Sequence, residues 1–484
     1  MKIKPKSILI AIFLFTLIFR LYFSLTNSGF SSDESYFNLR LTENIIETKK
    51  PLVYDDLSYS GKDLIHPQAF NYLLAFFSFI PEYEKIIPIL LISLIVIIVY
   101  AISKKISNNE TAALFSAFIS AFVPIEIKTT LNQVSTYTLV IPIILLMLLC
   151  LLNLENKKYF TLFIVLSFIF PLVHPISLLF VISLLFYLIL LNTENIQINK
   201  FKQEVILFSF FIVLLINFFL YKNVLLRYGT IIFWQNIPSS LFSSYFGGIN
   251  ILETLYLIGI IPLTFGVIGI YVGLFRKKDD HMVLIASFVL SALLLMSLKL
   301  INLQTGILLI SLPLLIASSK SLSSLYNYFS LTKFVKFKKY FNILFIIIIL
   351  LLSFAPSVYI ASTLPNYSNF ENDLRLIKLK PNSDSVVAIP YEYGNMLSYY
   401  SKKKNIADSN FLLAPNVEER ISDLNILYRT VFEISALEII KKYNITYIYA
   451  SDEILKKYKV NKLSYVDDPN CFSLLEGNLY EIKC

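Results

Sequence analysis

The sequence predicts a polytopic, mainly α-helical membrane protein with a small α/β domain at its C-terminal end. Of its 484 residues, 56% are hydrophobic and only 15% are charged, and the mean hydropathy is +0.67. This is too apolar for an ordinary soluble domain. The apolar residues fall in runs of roughly 14 to 25 residues separated by short polar loops, the length that crosses a hydrocarbon core about 30 Å thick. A soluble cytosolic enzyme is therefore excluded.

Eleven apolar segments are candidate membrane spans. They are 7–27, 86–103, 111–124, 135–154, 158–173, 175–192, 203–221, 251–275, 281–298, 300–319 and 340–362. A further apolar segment, 68–80, ends at Pro81 and is either another span or a helix lying at the membrane interface. We therefore predict about 11 to 13 spans, counting uncertain boundaries.

The charge of the loops predicts the orientation. If 68–80 does not span, basic loops such as Lys104/Lys105 and Lys157/Lys158 lie on the same side as the N-terminus, and basic loops are typically cytoplasmic. We expect a cell-membrane protein with a cytoplasmic N-terminus, a transmembrane domain over 1–362, a long external first loop over 28–85 and an external domain over 363–484. The net charge of +9 then reflects orientation, and no nucleic-acid partner is indicated.

Beyond residue 363 the pattern changes. Strand-length apolar runs such as SVVAI and ITYIYA alternate with helical patterns such as NVEERISDLNILYRTVF, which is typical of an α/β domain. Three cysteines are too few for a disulfide scaffold. Cys471 and Cys484 bracket the last segment and leave a single terminal bridge possible.

Acidic and histidine side chains gather on the predicted external face. Asp33 and Glu34 follow the first span in FSSDESYFNLRLTENI. Carboxylates there can hold a divalent cation, Mg²⁺ or Mn²⁺, that binds a phosphate, or can take a proton from an acceptor group. The alternative is a solvated helix N-terminus, because SSDE is also a good capping sequence. His66 and His174 each precede a proline at an external helix end, where a shared cavity and an interfacial hydrogen bond to backbone are equally good interpretations.

Two further external loops offer charged side chains. Glu126 lies in VPIEIKTT and Arg227 in LLRYG. Arg227 suits either a lipid head group or a bound diphosphate. With Asp33, Glu126 is the predicted metal-ligand pair.

Two stretches resemble the GT-C superfamily of membrane glycosyltransferases, and most nearly the catalytic subunits of archaeal oligosaccharyltransferases. SDESYFNLRLTENIIETKKPLVYDDLSYSGKDLIHPQAFNYLLAF is similar to the family's first external loop, and Asp33 and Glu34 match its acidic motif. VVAIPYEYGNMLSYYSKKKNIADSN is similar to its W-W-D-Y-G region, where Glu392, Tyr393 and Gly394 match the last three positions. In place of the family's paired tryptophans this chain has Ile389, Pro390 and Tyr391, which is consistent with a different acceptor.

The resemblance implies a GT-C-like fold and an inverting transfer of a sugar or oligosaccharide. The donor would be a polyprenyl phosphate or diphosphate sugar, and the acceptor a lipid, a glycan or a protein on the external face. It implies catalytic carboxylates at Asp33 and Glu34, with Asp33 as the first candidate for catalysis. We expect the substrates to be bound by five further residues, which are His66, His174, Arg227, Glu392 and Tyr393.

Two non-enzymatic functions compete with this prediction. A transporter or lipid flippase has equally many spans, but it usually places ionisable residues near the bilayer midplane of several helices, and this sequence has few charges there. A surface scaffold anchored by its spans is the third possibility, for which eleven spans are excessive.

Overall fold

The computed structural model describes residues 4–247, 250–276, 278–332, 338–365, 367–378, 384–475 and 478–484, and it is mainly α-helical. The helices of the first three quarters of the chain are α1 Pro5–Leu25, α2 Asp33–Thr48, α3 Ala69–Phe76, α4 Tyr83–Ser93, α5 Ile95–Ser107, α6 Glu110–Ser120, α7 Pro124–Thr130, α8 Tyr137–Leu151, α9 Lys157–Val173, α10 Ser177–Thr193, α11 Lys200–Tyr228, α12 Phe242–Phe246, α13 Ile251–Ile258, α14 Ile260–Tyr271, α15 Asp280–Ser297, α16 Leu303–Leu331, α17 Lys338–Ile349 and α18 Ala355–Ser362.

The C-terminal part carries the predicted mixture of helices and strands. Its helices are α19 Ser368–Lys378, α20 Gly394–Ser401, α21 Val417–Arg429, α22 Glu433–Tyr443 and α23 Asp452–Tyr458. Its strands are β3 Val386–Ala388, β4 Lys404–Asn405, β5 Ile445–Tyr449, β6 Phe472–Leu475 and β7 Leu479–Ile482, in the sheet order β4-β3-β5-β7-β6. β3 runs parallel to β4 and β5, whereas β7 is antiparallel to β5 and β6. Two short strands of the first external loop, β1 Tyr54–Asp55 and β2 Lys62–Asp63, form a separate hairpin.

The membrane-protein class is supported, but the predicted number of spans is not confirmed. Among the described residues, six helices are long and apolar enough to cross a membrane, or up to eight if each of two bent helix pairs forms one span. The apolar segment 68–80 contains only the eight-residue helix α3, about 12 Å long, which is too short to cross. Its residue Asn71 instead bonds to the carbonyl of Asn38 in α2 at 2.9 Å.

Polar caps begin several of the apolar helices. Their side-chain oxygens accept hydrogen bonds from free backbone N–H groups of the first turn, and the capping residues are Asn109, Asn156, Asn199, Asp279 and Asn302. Because the remaining backbone groups bond within each helix, the apolar segments can sit in lipid without unsatisfied polar groups.

Close helix packing in the bundle depends on small residues. α14 lies against α16, and a Cβ atom on Gly269 would come within 2.1 Å of the Ala317 carbonyl oxygen. Only glycine permits this approach, as is typical of membrane helix pairs.

The C-terminal part shares its hydrophobic core with the first external loop. One cluster of buried side chains joins Tyr36, Leu39 and Phe70 of that loop to Leu397 and Leu427 of the C-terminal helices. The shared core fixes the first loop and the C-terminal part relative to each other, and the candidate site lies between them.

Candidate active site

The start of helix α2 is held by the loop that precedes α8. The Ser31 N–H donates to the Asn132 carbonyl at 3.0 Å, and the Asn38 side chain donates to the Val134 carbonyl at 2.8 Å. The hydroxyl of Ser35 accepts from the Val134 N–H at 3.0 Å. The loop between α7 and α8 therefore fixes one side of α2.

The carboxylate of Asp33 is bound by the C-terminal part. Its Oδ1 accepts from the Met396 N–H at 2.9 Å, and its Oδ2 accepts from Asn395 Nδ2 and from the Ser409 hydroxyl, each at 2.8 Å. Burial raises the pKa of Asp33 to about 7, although the three donated hydrogen bonds act in the opposite direction. Asp33 thus joins α2 to the first turn of α20.

A second set of contacts holds the hairpin β1–β2 on the same part of the chain. Asp408 accepts from the Ser58 hydroxyl, and the Tyr59 hydroxyl donates to the Asp408 carbonyl at 2.8 Å. The buried ammonium of Lys62 lies 3.6 Å from Asp408 Oδ1. Gly394 lets α20 approach this segment, because a Cβ atom there would lie 2.3 Å from the Ala407 carbonyl oxygen.

Glu34 differs from its neighbour. Its side chain is exposed, and it makes no hydrogen bond or ion pair with any residue in the described part of the chain. Nevertheless, desolvation by the surrounding protein raises its pKa. The exposed carboxylate of Glu34 therefore lies beside the contact between α2 and the C-terminal part, where Asp33 is bound.

The two predicted histidines lie near each other, as their external positions suggested. Burial lowers the pKa of His66 to about 4, and burial together with the neighbouring His66 lowers that of His174 to about 3. Both are therefore neutral at pH 7. The His174 ring lies 5.3 Å from that of Tyr137, whose hydroxyl bonds to Thr305 and interacts electrostatically with Glu34.

The residues matching the W-W-D-Y-G region lie immediately before and at the start of α20, the helix whose first turn binds Asp33. Glu392 pairs with Lys457, and the Tyr393 ring stacks on Phe370 at 4.9 Å. Glu392, Glu34 and Asp33 all interact electrostatically with the Tyr245 hydroxyl. Tyr245 therefore connects the acidic loop with the segment that holds Glu392.

The predicted metal pair is not brought together. The carboxylate of Glu126 is buried and paired with Arg20, and its contacts share no residue with those of Asp33. Within the described ranges, the groups of three or more possible metal ligands are Asp279 with Asp280 and His281, and Glu433 with Asp468 and Cys471. Cys471 already forms a disulfide with Cys484, which realises the terminal bridge that the sequence left open.

Arg227 contacts the loop between α2 and α3. It pairs with Asp63 of that loop at 2.7 Å, and its side chain is 70% exposed. Its guanidinium therefore faces solvent beside the loop, with donors to spare for an anion.

Three residues of this site were missed by the sequence reasoning. Asn395, Asp408 and Ser409 contact the acidic loop directly. All three lie in the stretch from Tyr393 to Asn410, which resembles the family motif. Their polar side chains within that motif were the signal that could have identified them.

The fold is that of archaeal oligosaccharyltransferases, which confirms the resemblance predicted from the two motif stretches. No family model matches the chain. The dolichyl-phosphooligosaccharide-protein glycotransferase 1 of Archaeoglobus fulgidus is 32% identical over 154 residues, which cover 29% of this chain and 26% of that protein. The match thus spans about a quarter of that relative, which is a glycosyltransferase, the class of enzyme that the sequence predicts.

Solved structures of the Archaeoglobus fulgidus oligosaccharyltransferase match nearly the whole chain. The structure tethered to an acceptor peptide with the NVT sequon has a TM-score of 0.68 at 14% identity and covers 93% of this chain and 69% of that one. The complex with an inhibitory peptide and a dolichol-phosphate has a TM-score of 0.65 at 14% identity, covering 92% and 69%. The complex with Zn and sulfate has a TM-score of 0.58 at 14% identity, covering 90% and 67%.

Proposed function

We propose that the protein is a membrane glycosyltransferase of the GT-C type. It transfers a sugar or oligosaccharide from a polyprenyl phosphate or diphosphate carrier to an acceptor on the external membrane face. The observation that carries the proposal is the exposed, unpaired carboxylate of Glu34, at the junction of helix bundle and C-terminal part in an oligosaccharyltransferase-like fold.

In this proposal Glu34 contacts the reacting groups. An acceptor hydroxyl or amide attacks the anomeric carbon of the donor, the bond from that carbon to the phosphate oxygen breaks, and the acceptor proton passes to the carboxylate. A raised pKa suits this role, because a base with a pKa nearer the working pH is the better proton acceptor. The polyprenyl chain lies against the apolar helices, and the phosphate leaves with the electron pair.

The neutral imidazoles of His66 and His174 and the guanidinium of Arg227 are the donors available to the phosphate. A neutral imidazole carries one N–H donor, and Arg227 adds a positive charge where negative charge develops. On the far side, Glu392 and Tyr393 bind the acceptor. The comparison structures contain an acceptor peptide and a dolichol-phosphate, which supports a protein acceptor and a lipid-linked donor for this chain.

A divalent cation is only partly supported by the residues present. The Nε2 atom of His66 is buried and has no hydrogen-bond partner, and the Glu34 carboxylate is unpaired, so donors of the right chemistry exist. In the described residues, however, no group of three gathered ligands includes Glu34, His66 or His174. The proposed reaction therefore includes no metal-dependent step, and the effect of a chelator decides whether a metal is required.

The test is release of polyprenyl phosphate or diphosphate from a panel of lipid-linked sugars by the purified, reconstituted protein, with and without EDTA. Glu34→Gln should lower the rate by at least about 100-fold, the usual size of a lost general base, with an unchanged melting temperature. Glu43→Gln is the matched control, because it removes a carboxylate of the same helix that pairs with Lys402 at the surface, and it should leave the rate unchanged.

Two outcomes would contradict the proposal. One is wild-type activity in Glu34→Gln. The other is no release from any donor by protein that is folded, which would favour the transporter or flippase function instead.

A further inference from the structure

We propose that Asp33 is a positioning residue and that its partner Asn395 sets the direction of Glu34. This inference rests on the proposed function, since it assigns the reacting carboxylate to Glu34. It differs from the expectation drawn from the motif resemblance, which made Asp33 the first candidate for catalysis.

The carboxylate of Asp33 is already engaged. Three donors from the C-terminal part, Asn395 Nδ2, the Met396 N–H and the Ser409 hydroxyl, lie within 2.8 to 2.9 Å of its two oxygens. To accept a proton from a substrate, or to ligate an ion, Asp33 would have to give up some of these bonds. Glu34 has none to give up.

Asn395 is likewise fully used. Its Nδ2 donates to Asp33 and, at 3.2 Å, to the Ser409 hydroxyl. Its Oδ1 accepts from Arg40 at 3.0 Å, and Arg40 is held in turn by Asp55 at 2.9 Å. The side chain is 1% exposed. A buried amide whose hydrogen bonds are all made favours one arrangement of the two parts of the chain, because any other arrangement would leave polar groups buried without partners.

Because Asp33 is anchored, the geometry of the α-helix determines the direction in which the Glu34 side chain points. Successive side chains on a helix are rotated by about 100°. Asp33 points to the C-terminal part, and Ser35 points to the loop before α8 through its bond to Val134. With both neighbours fixed, Glu34 is directed toward the remaining side of α2, where its carboxylate is exposed.

The same contact connects α2 with α20 and the turn before it. Asp33 accepts from the N–H of Met396, the third residue of α20, and a carboxylate there stabilises the helix N-terminus. The short turn Tyr391–Tyr393 immediately precedes this helix. Asn395 and Asp33 therefore hold Glu34 and the Glu392 segment in one fixed arrangement.

The test exchanges the two side chains. Asp33→Asn and Asn395→Asp each break the amide-carboxylate pair, and we expect each to lower kcat at least 10-fold at unchanged KM for the donor. The double variant Asp33→Asn with Asn395→Asp restores one amide and one carboxylate at the same contact, keeps the net charge, and leaves an acceptor for Arg40. It should recover at least a third of the wild-type kcat.

A positioning role and a reacting role predict opposite results for the double variant. If Asp33 reacts with substrate, the displaced carboxylate cannot replace it, and the double variant stays as inactive as Asp33→Asn. That result in folded protein would overturn the inference, and so would a double variant that fails to fold, because the inference requires the pair to be interchangeable. If Glu34→Gln is active, or wild type releases no polyprenyl phosphate, the proposed function itself fails.

The pH dependence of the activity of Asn395→Asp distinguishes a positioning role from a purely structural defect, because such a defect would lower the activity equally at every pH. Two carboxylates at this contact share one proton, so the activity of the variant relative to wild type should rise as the pH falls. A ratio that does not change with pH, measured well below both melting temperatures, would count against the inference.

Discussion

Three consecutive side chains at the start of α2 serve three different surfaces. Asp33 binds the C-terminal part, Glu34 is exposed, and Ser35 binds the loop before α8. The sequence showed that the acidic pair follows the first span and opens a helix. It could not show that the Asp33 carboxylate is already hydrogen-bonded, because its partner Asn395 lies 362 residues further along the chain.

The raised pKa of Asp33 predicts a specific pH dependence of stability. Its pKa is about 7 in the folded protein against an ordinary value of 3.8, so the folded state binds the proton more tightly than the unfolded chain. The stability contributed by protonated Asp33 is fully present below pH 3.8 and is lost as the pH rises through about 7. The melting temperature of wild type relative to Asp33→Asn, which does not titrate, should therefore fall between pH 4 and pH 7. A difference that stays constant across this range would contradict the prediction.

At the scale of elements, α20 is the piece that brings the two faces of the site together. Its first residue, Gly394, packs so closely on the segment after β4 that a Cβ atom would lie 2.3 Å from the Ala407 carbonyl oxygen and 2.6 Å from the Asp408 Cβ. Along the stretch that resembles the family motif, β3, the turn Tyr391–Tyr393, α20 and β4 follow one another. The packing partner was not predictable, because a motif match does not say which loop lies against it.

Gly394→Ala should therefore weaken both the fold and the site. The contact is with backbone, which cannot rotate away, so we expect a loss of about 1–3 kcal/mol in the free energy of unfolding and reduced transfer activity. Gly247→Ala is the matched control, because the nearest atom to an added Cβ there is 3.5 Å away, an ordinary contact. Thermal unfolding in detergent measures both variants. Equal stability of the two would show that α20 tolerates a wider separation.

A buried ion pair joins the first helix to the bent pair α6 and α7. Arg20 donates to Glu126 and, at 3.0 Å, to Thr130, and both charged side chains are almost fully inaccessible. The sequence predicts a metal site formed by Glu126 together with Asp33. The structure instead pairs Glu126 with Arg20, which also accounts for charges within helices that would otherwise indicate transport.

Removing one partner of this pair should cost more than removing both. Arg20→Met leaves Glu126 buried without a counter-ion, a change worth about 3–5 kcal/mol, whereas replacing both with apolar residues is often close to neutral. We expect the double variant Arg20→Met with Glu126→Leu to unfold at a higher temperature than either single variant. Lys128→Met is the control, because its pair with Glu253 is exposed and such pairs contribute about 1 kcal/mol or less. Additive losses in the double variant would contradict the coupling.

For the whole molecule, composition predicted the membrane class and the C-terminal α/β part correctly because both depend on local pattern. Every predicted span corresponds to at least one helix, but many of these helices are short, bent or broken, as at Gly259 between α13 and α14. Hydropathy is averaged over a stretch of sequence that includes such breaks. It therefore identifies apolar segments but does not show which of them cross the membrane. The shared core between the first loop and the C-terminal part depends on contacts far apart in sequence and was not visible in the pattern.

The orientation of the whole molecule is the remaining prediction, and two exposed positions test it. In a Cys150→Ser background, Lys456→Cys lies in α23 of the C-terminal part and Glu155→Cys lies in the loop before α9, both exposed. The excess of basic residues in the loops places the second position in the cytoplasm. A membrane-impermeant maleimide applied to intact cells should therefore label Lys456→Cys at once and Glu155→Cys only after permeabilisation. If instead Glu155→Cys is labelled at once and Lys456→Cys only after permeabilisation, Glu34 lies on the cytoplasmic side. The donor and the acceptor would then both have to be cytoplasmic.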